Sequence, residues 1–193
     1  QQLTPEAFEA AANETGAVIL DVRKAADFAK GHIPRSIFIG IDGSFAPWVG
    51  ALIADTAQPI LLVAPEGREE ETVTRLSRVG FDQTLGYLNG GFEAWKTSGK
   101  EIDTVTSVEA SNLEEAVQSD AATPIFDVRK PGEFDSEHLE TAQSTPLDFL
   151  NKHLTEFPSD KVFYVHCAGG YRSMIAASIL KSRGIHNLID VKG

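Results

Sequence analysis

Cysteine is nearly absent from this chain: Cys167 is the only one in 193 residues. A single thiol excludes an intramolecular disulfide and gives no metal-ligand cluster, so no metal or cofactor is expected. A free thiol fits a reducing compartment, and the expected location is cytoplasmic. Long hydrophobic runs are missing too. No apolar stretch approaches the roughly 18 residues that a membrane helix needs, so a membrane is not an expected partner. Positive charge is scarce: 17 Lys and Arg stand against 28 Asp and Glu, a net charge of −11. That balance argues against nucleic acid as the main partner. Neither an initiator Met nor a signal-peptide pattern is present. The chain opens Gln1-Gln2 and runs straight into a helix signal, as expected for a piece of something longer. Its hydrophobic fraction of 42% is ordinary for a globular protein of one large or two small domains.

Acidic residues are themselves absent from one stretch. Between Lys161 and Ile189 there is no Asp or Glu, while Lys161, Arg172, Lys181, Arg183, His166 and His186 all fall there. A neutral-to-basic island in an acidic chain would draw in an anionic substrate. The cysteine lies inside it, in Val165-His166-Cys167-Ala168-Gly169-Gly170-Tyr171-Arg172-Ser173. An apolar run leads in and a helical pattern leads out. Strand, glycine-bearing loop and helix together hold anions on backbone N–H groups. A cysteine at the start of such a loop would have its thiolate stabilised.

The chain also repeats itself. Ile19-Leu20-Asp21-Val22-Arg23-Lys24 recurs as Ile125-Phe126-Asp127-Val128-Arg129-Lys130, Phe28 as Phe134, and His32-Ile33 as His138-Leu139. Leu61-Leu62-Val63 matches Phe163-Tyr164-Val165, and the helix ending at Gly80 matches the one ending at Gly184. On that alignment Pro65 stands where Cys167 does, and the first loop is two residues shorter. Strands alternate with helices in both copies, so each copy is expected to be an α/β domain with an open, mostly parallel sheet flanked by helices on both faces. Thr4 with Pro5 reads as a helix start, Ser111 to Glu114 as a capping box, and Thr84 to Leu88 as an edge strand. The expected domains are 1–103 and 104–193. The second has nothing matching Gly91 to Ser98, so one face of its sheet should be partly uncovered.

Taken together, Asp127-Val128-Arg129, the Phe134 to His138 segment and the Cys167 to Arg172 loop resemble those of tandem rhodanese-type sulfurtransferases. The resemblance covers nearly the whole chain and implies two rhodanese-like domains. It also implies that Cys167 accepts a sulfane sulfur as a persulfide and passes it on. The partners implied are a small anionic sulfur donor, such as thiosulfate or a low-molecular-weight persulfide, and a thiol or cyanide acceptor. The six-residue loop is one residue tighter than that of related phosphatases. Among sulfurtransferases, its Gly at the fourth place and Arg at the sixth resemble the loops of single-domain rhodaneses and of fusion proteins, and the tandem resembles the C-terminal half of fusions with a metallo-β-lactamase-fold persulfide dioxygenase. Such a domain upstream is therefore an expected partner. The competing readings are a phosphatase or arsenate reductase on the same loop, and a non-catalytic interaction module.

Within this reading Cys167 is the nucleophile. Backbone N–H groups of Ala168, Gly169, Gly170, Tyr171, Arg172 and Ser173 would bind the substrate's charge, with both glycines at positive φ. Arg172 is the expected anion clamp. Asp127, Arg129 and His138 are expected to be structural, tying strand ends to loops. His166 should point away from Cys167, and Glu133 should be solvated. The first copy, with Pro65 and four glutamates nearby, is expected to be inactive, to pack against the active copy and to frame its pocket.

Overall fold

The computed structural model describes residues 1–193, which form two compact units, Gln1–Thr104 and Val105–Gly193. In the first, β1 (Gln2–Leu3), α1 (Pro5–Thr15), β2 (Val18–Asp21), α2 (Ala25–Lys30), β3 (Ile37–Phe38), α3 (Phe45–Leu52), β4 (Ile60–Val63), α4 (Glu69–Arg78), β5 (Thr84–Leu88) and α5 (Gly91–Thr97) follow one another. The second runs β6 (Ser107–Val108), α6 (Ala110–Ser119), β7 (Ile125–Asp127), α7 (Pro131–Ser136), β8 (Ala142–Ser144), a kinked 3₁₀ segment Leu147–Glu156, β9 (Phe163–His166), α8 (Tyr171–Ser182) and β10 (Leu188–Val191). Each unit has one five-stranded sheet, in the orders β1-β5-β4-β2-β3 and β6-β10-β9-β7-β8. Every strand pair is parallel. Two α/β units with parallel sheets, as the repeat implied, are what the chain builds.

Local signals hold in places and shift in others. Thr4 caps α1, its hydroxyl accepting from the Ala7 N–H at 3.2 Å. The cap of α6 is Glu109, not Ser111, and its N–H donates to Asn112 Oδ1 at 3.1 Å. The strand Thr84–Leu88 is not an edge, because the two residues of β1 add outside it. A two-residue strand has too little pattern to be read from sequence.

The central strand records how each sheet is covered. All four residues of β4 are buried, as in a parallel sheet with helices on both faces. On one face Leu61 and Val63 pack with Phe8 of α1 and with Phe92 and Trp95 of α5. In β9 burial alternates: Phe163 and Val165 are buried, while Tyr164 and His166 are only partly so. No helix equivalent to α5 follows β10, and Leu139 is 44% exposed where its counterpart Ile33 is 3%.

One strap recurs in both units. At the end of β7, Arg129 grips Asp127 through Nε at 3.0 and 3.1 Å and Nη2 at 2.8 Å, and donates to the Glu137 carbonyl at 2.7 Å. Arg23, Asp21 and the Gly31 carbonyl repeat it. His138 stacks on Phe134 with ring centres 3.8 Å apart and bonds the Phe134 carbonyl through Nδ1 at 2.7 Å. His32 does the same with Phe28. Asp127 is fully buried, so removing its cation leaves a buried charge unpaired. Arg129→Ala is expected to destabilise the second unit by about 3 kcal/mol, read from its urea unfolding transition. An unchanged midpoint would mean that the strap carries no stability.

Candidate active site

The centre of the second unit is set by where β9 ends. The Val128 N–H donates to the His166 carbonyl at 3.0 Å, closing the last rung of the ladder. The next residue, Cys167, leaves the sheet, and Gly170 turns the chain into the 12-residue α8. Ligands in such sheets lie beyond the carboxyl ends of the strands, where a helix N-terminus offers unpaired N–H groups. Here two of them reach the sulfur. The N–H of Gly170 lies 3.1 Å and that of Ser173 3.3 Å from Cys167 Sγ. Cys167 is only 6% exposed, so these donors replace water around any charge on Sγ.

The two glycines play different parts. Gly170 alone has positive φ, at 85°, and Gly169 does not, contrary to the expectation for the pair. A Cβ on Gly170 would sit 3.1 Å from the Lys192 carbonyl oxygen, whereas one on Gly169 meets nothing. Gly193 also lies close beneath the loop, so that a Cβ there would be 3.3 Å from the Ala168 oxygen. Ala168 and Gly169 are exposed at the rim, and Tyr171 and Arg172 are half-buried.

Arg172 has a partner that sequence reasoning missed. Its Nη1 donates to Glu133 Oε2 at 2.7 Å and its Nη2 to Oε1 at 3.1 Å. Glu133 is therefore not simply solvated. The Arg172 guanidinium, with help from the Lys130 N–H, holds its carboxyl down at about 2 against the pull of burial. The pair fixes the fork at the rim, so any anion that reached Arg172 would share it with Glu133. His166 lies beside the buried carboxylate of Asp127. Burial pushes its imidazole down, against the Asp127 carboxylate 3.6 Å away, so it is neutral near pH 7.

The first unit supplies a comparison, and it corrects the alignment of the repeats. Its Val22 N–H donates to the Val63 carbonyl at 2.9 Å, the rung that Val128 and His166 make in the second. Val63 pairs with Asp21 as His166 pairs with Asp127. Val63 therefore matches His166, and the residue in the place of Cys167 is Ala64 rather than Pro65. The loop is one residue shorter, not two. Its turn survives, with Gly67 at φ 85° where Gly170 stands. Its cation, Arg68, is tied to Asp42 at 2.8 Å and Glu71 at 2.7 Å. The alanine offers no thiol.

The rhodanese-like domain family matches residues 4–98 and 109–193. The chain belongs to that family. A thiosulfate sulfurtransferase, GlpE of Pseudomonas savastanoi pv. phaseolicola, is 31% identical over 99 residues, which are 51% of this chain and 89% of that protein. YqhL of Bacillus subtilis, an uncharacterized protein, is 35% identical over 69 residues, 36% of this chain and 55% of its own. The chain spans about half the length of YqhL and of the putative sulfur carrier protein YrkF from the same organism. Among solved structures, the mercaptopyruvate sulfurtransferase SseA of Escherichia coli aligns over 99% of this chain and 97% of its own at 16% identity and a TM-score of 0.43. Relatives over about half of the chain include proteins named thiosulfate sulfurtransferase, and no helix of the chain is long and apolar enough to cross a membrane.

Two outcomes follow from this geometry. In the unfolded chain Glu133 returns to about 4.5, so its ion pair contributes fully above that pH and is lost as pH falls toward about 2. The stability difference between the wild type and Glu133→Gln, followed by urea unfolding, is expected to be small because the carboxylate is partly open to solvent. It should be present above pH 5 and vanish near pH 2; a difference independent of pH would contradict the pairing. Gly170→Ala forces a left-handed alanine, costing about 1–2 kcal/mol, and pushes an N–H off the sulfur. It should lower the urea midpoint and slow iodoacetamide alkylation of Cys167, while Gly169→Ala changes neither.

Proposed function

We propose that the second unit is a sulfurtransferase working through a persulfide on Cys167, and that the first unit is catalytically inactive. The observation that carries this reading is the sole cysteine of the chain, held by two backbone N–H groups at the start of α8 with Arg172 at the rim. In the first half-reaction the Cys167 thiolate attacks the sulfane sulfur of the donor. A new S–S bond forms, the donor's bond to that sulfur breaks, and the leaving group departs with the electron pair, as sulfite when the donor is thiosulfate. The outer sulfur then carries the negative charge, and the N–H groups and helix end stabilise it as they did the thiolate. In the second half-reaction a thiolate or cyanide attacks that outer sulfur and Cys167 leaves as thiolate.

The donor class we assign is small and anionic: thiosulfate or a low-molecular-weight persulfide. Arg172 suits either, its planar fork matching a sulfonate or carboxylate once it turns from Glu133. Ala64 in place of the cysteine, and four glutamates in and beside the first loop, support an inactive first unit. The likeness to persulfide dioxygenase fusions makes a metallo-β-lactamase-fold domain the upstream partner we propose, and a thiol cycle of this kind fits a reducing cytoplasm.

Mass spectrometry of the intact chain after thiosulfate treatment is expected to show one added sulfur on Cys167. Cyanide should remove it as thiocyanate, and Cys167→Ser should take up none. An intact, unmodified thiol after both thiosulfate and glutathione persulfide would overturn the proposal. Hydrolysis of an aryl phosphate, lost in Cys167→Ser, would replace it with a phosphatase.

A further inference from the structure

The end of β10 carries a group that the chemistry above leaves unused. Asp190 is 1% exposed. It sits in register with Val165 of β9, two residues before Cys167, and with Ser107 of β6. Its Oδ2 accepts a hydrogen bond from Ser107 Oγ at 2.7 Å, while its Oδ1 is buried without a partner. Ser173 presents a second open atom. Its N–H already touches Cys167 Sγ, the residue is fully buried, and its Oγ has no partner. The Ser173 hydroxyl is close enough to act on the titration of Asp190, yet the two atoms are not in hydrogen-bonding geometry. In the first unit, register puts Tyr87 in the place of Asp190 and Gln2 in that of Ser107. The buried acid and its hydroxyls therefore belong to the unit with the thiol.

An unsatisfied buried polar atom costs about 1–3 kcal/mol, and a native structure that keeps two side by side calls for a reason. A small rotation of Ser173 joins them. Ser107 donates to Oδ2, so the free oxygen is the place for a carboxyl proton. An Asp190 carrying that proton would donate from Oδ1 to Ser173 Oγ, and the hydroxyl would keep its own proton for another acceptor. The nearest acceptor that changes charge is the sulfur whose N–H contact Ser173 already makes. Burial pushes the Asp190 carboxyl up, and the hydroxyls of Ser173 and Ser107 and the charge of Lys192 oppose it.

We propose that Asp190 is a positioning residue that turns the Ser173 hydroxyl proton onto Cys167, completing a relay Ser107–Asp190–Ser173–Cys167. The relay adds a third donor to the thiolate and, resting on the function proposed above, to the outer sulfur of the persulfide. Aspartate suits the place because its carboxyl can accept from Ser107 and donate to Ser173 at once. An amide can do the same; an apolar side chain can do neither.

The test is the rate of iodoacetamide alkylation of Cys167 at pH 7 in the full chain, which requires no sulfur donor. Asp190→Val and Ser173→Ala should each slow it about tenfold, the worth of one hydrogen bond to a charged group, and the double variant no further. Asp190→Asn should stay within about twofold of the wild type. The melting temperature of Asp190→Val should hold or rise, since a buried carboxyl has been removed. Alkylation of Asp190→Val at the wild-type rate, an equal loss in Asp190→Asn, or multiplying losses in the double variant would each overturn the relay. If Asp190→Val does not fold, Ser173→Ala slowed beside an unslowed Asp190→Asn supports the relay, and any other pairing overturns it. Sulfur uptake is read separately. A wild type that alkylates as described yet takes no sulfur from thiosulfate or glutathione persulfide overturns the proposed function and keeps the relay.

Discussion

A sulfur atom that is almost wholly buried, and that carries negative charge in the mechanism proposed above, has to be solvated by the protein itself. Everything around Cys167 answers to that constraint. Water is largely excluded, so backbone dipoles take its place: the N–H groups of Gly170 and Ser173 and the end of a 12-residue helix. Those donors are in position only because β9 stops at His166 and Gly170 adopts a conformation closed to other residues at little cost. The Asp127–Arg129 strap holds the neighbouring strand end that the last rung of β9 leans on. The sheet, the strap and the turn can each be read as support for two hydrogen bonds to one atom.

The duplicated unit separates what the fold needs from what the sulfur needs. Strap, stacked histidine and left-handed glycine occur in both copies and so belong to the fold. Cysteine, the arginine facing a lone glutamate, and the pair of half-buried Ser107 and buried Asp190 occur in one. Where the thiol is absent, the loop has shortened by a residue, and its arginine is drawn to carboxylates on two sides. A helix start with no anion to hold is satisfied by acidic side chains of its own chain instead.

Much of this was legible in the residues. The 106-residue spacing of Asp-Val-Arg-Lys and His gave two equivalent α/β units, and the glycines after Cys167 marked a strand-to-helix turn. The edges of elements were less legible. A continuous apolar run does not say at which residue a strand ends, and the slip from Ala64 to Pro65 came from there. The two-residue strands β1 and β6 have no periodicity to detect. Glu133 is 39 residues from Arg172, and nothing local joins them before the chain folds. Asp190 did leave a trace: an acid in the apolar strand Leu188-Ile189-Asp190-Val191, the first carboxylate after the acid-free stretch. A charge at an inward position of a buried strand calls for a partner.

The floor beneath the loop is main chain rather than side chain. Gly170 lies against the Lys192 carbonyl and Gly193 against Ala168 and Gly169, so closely that a Cβ at either glycine would crowd the facing main chain. Backbone laid on backbone leaves no rotamers to freeze. The entropy of ordering the sulfur's surroundings is met once, when the unit folds, and not again at each encounter with a substrate. A cradle of this kind has little slack to absorb a poorly shaped ligand, so in the proposed sulfur transfer selectivity at Cys167 would be a matter of rigidity as much as of charge.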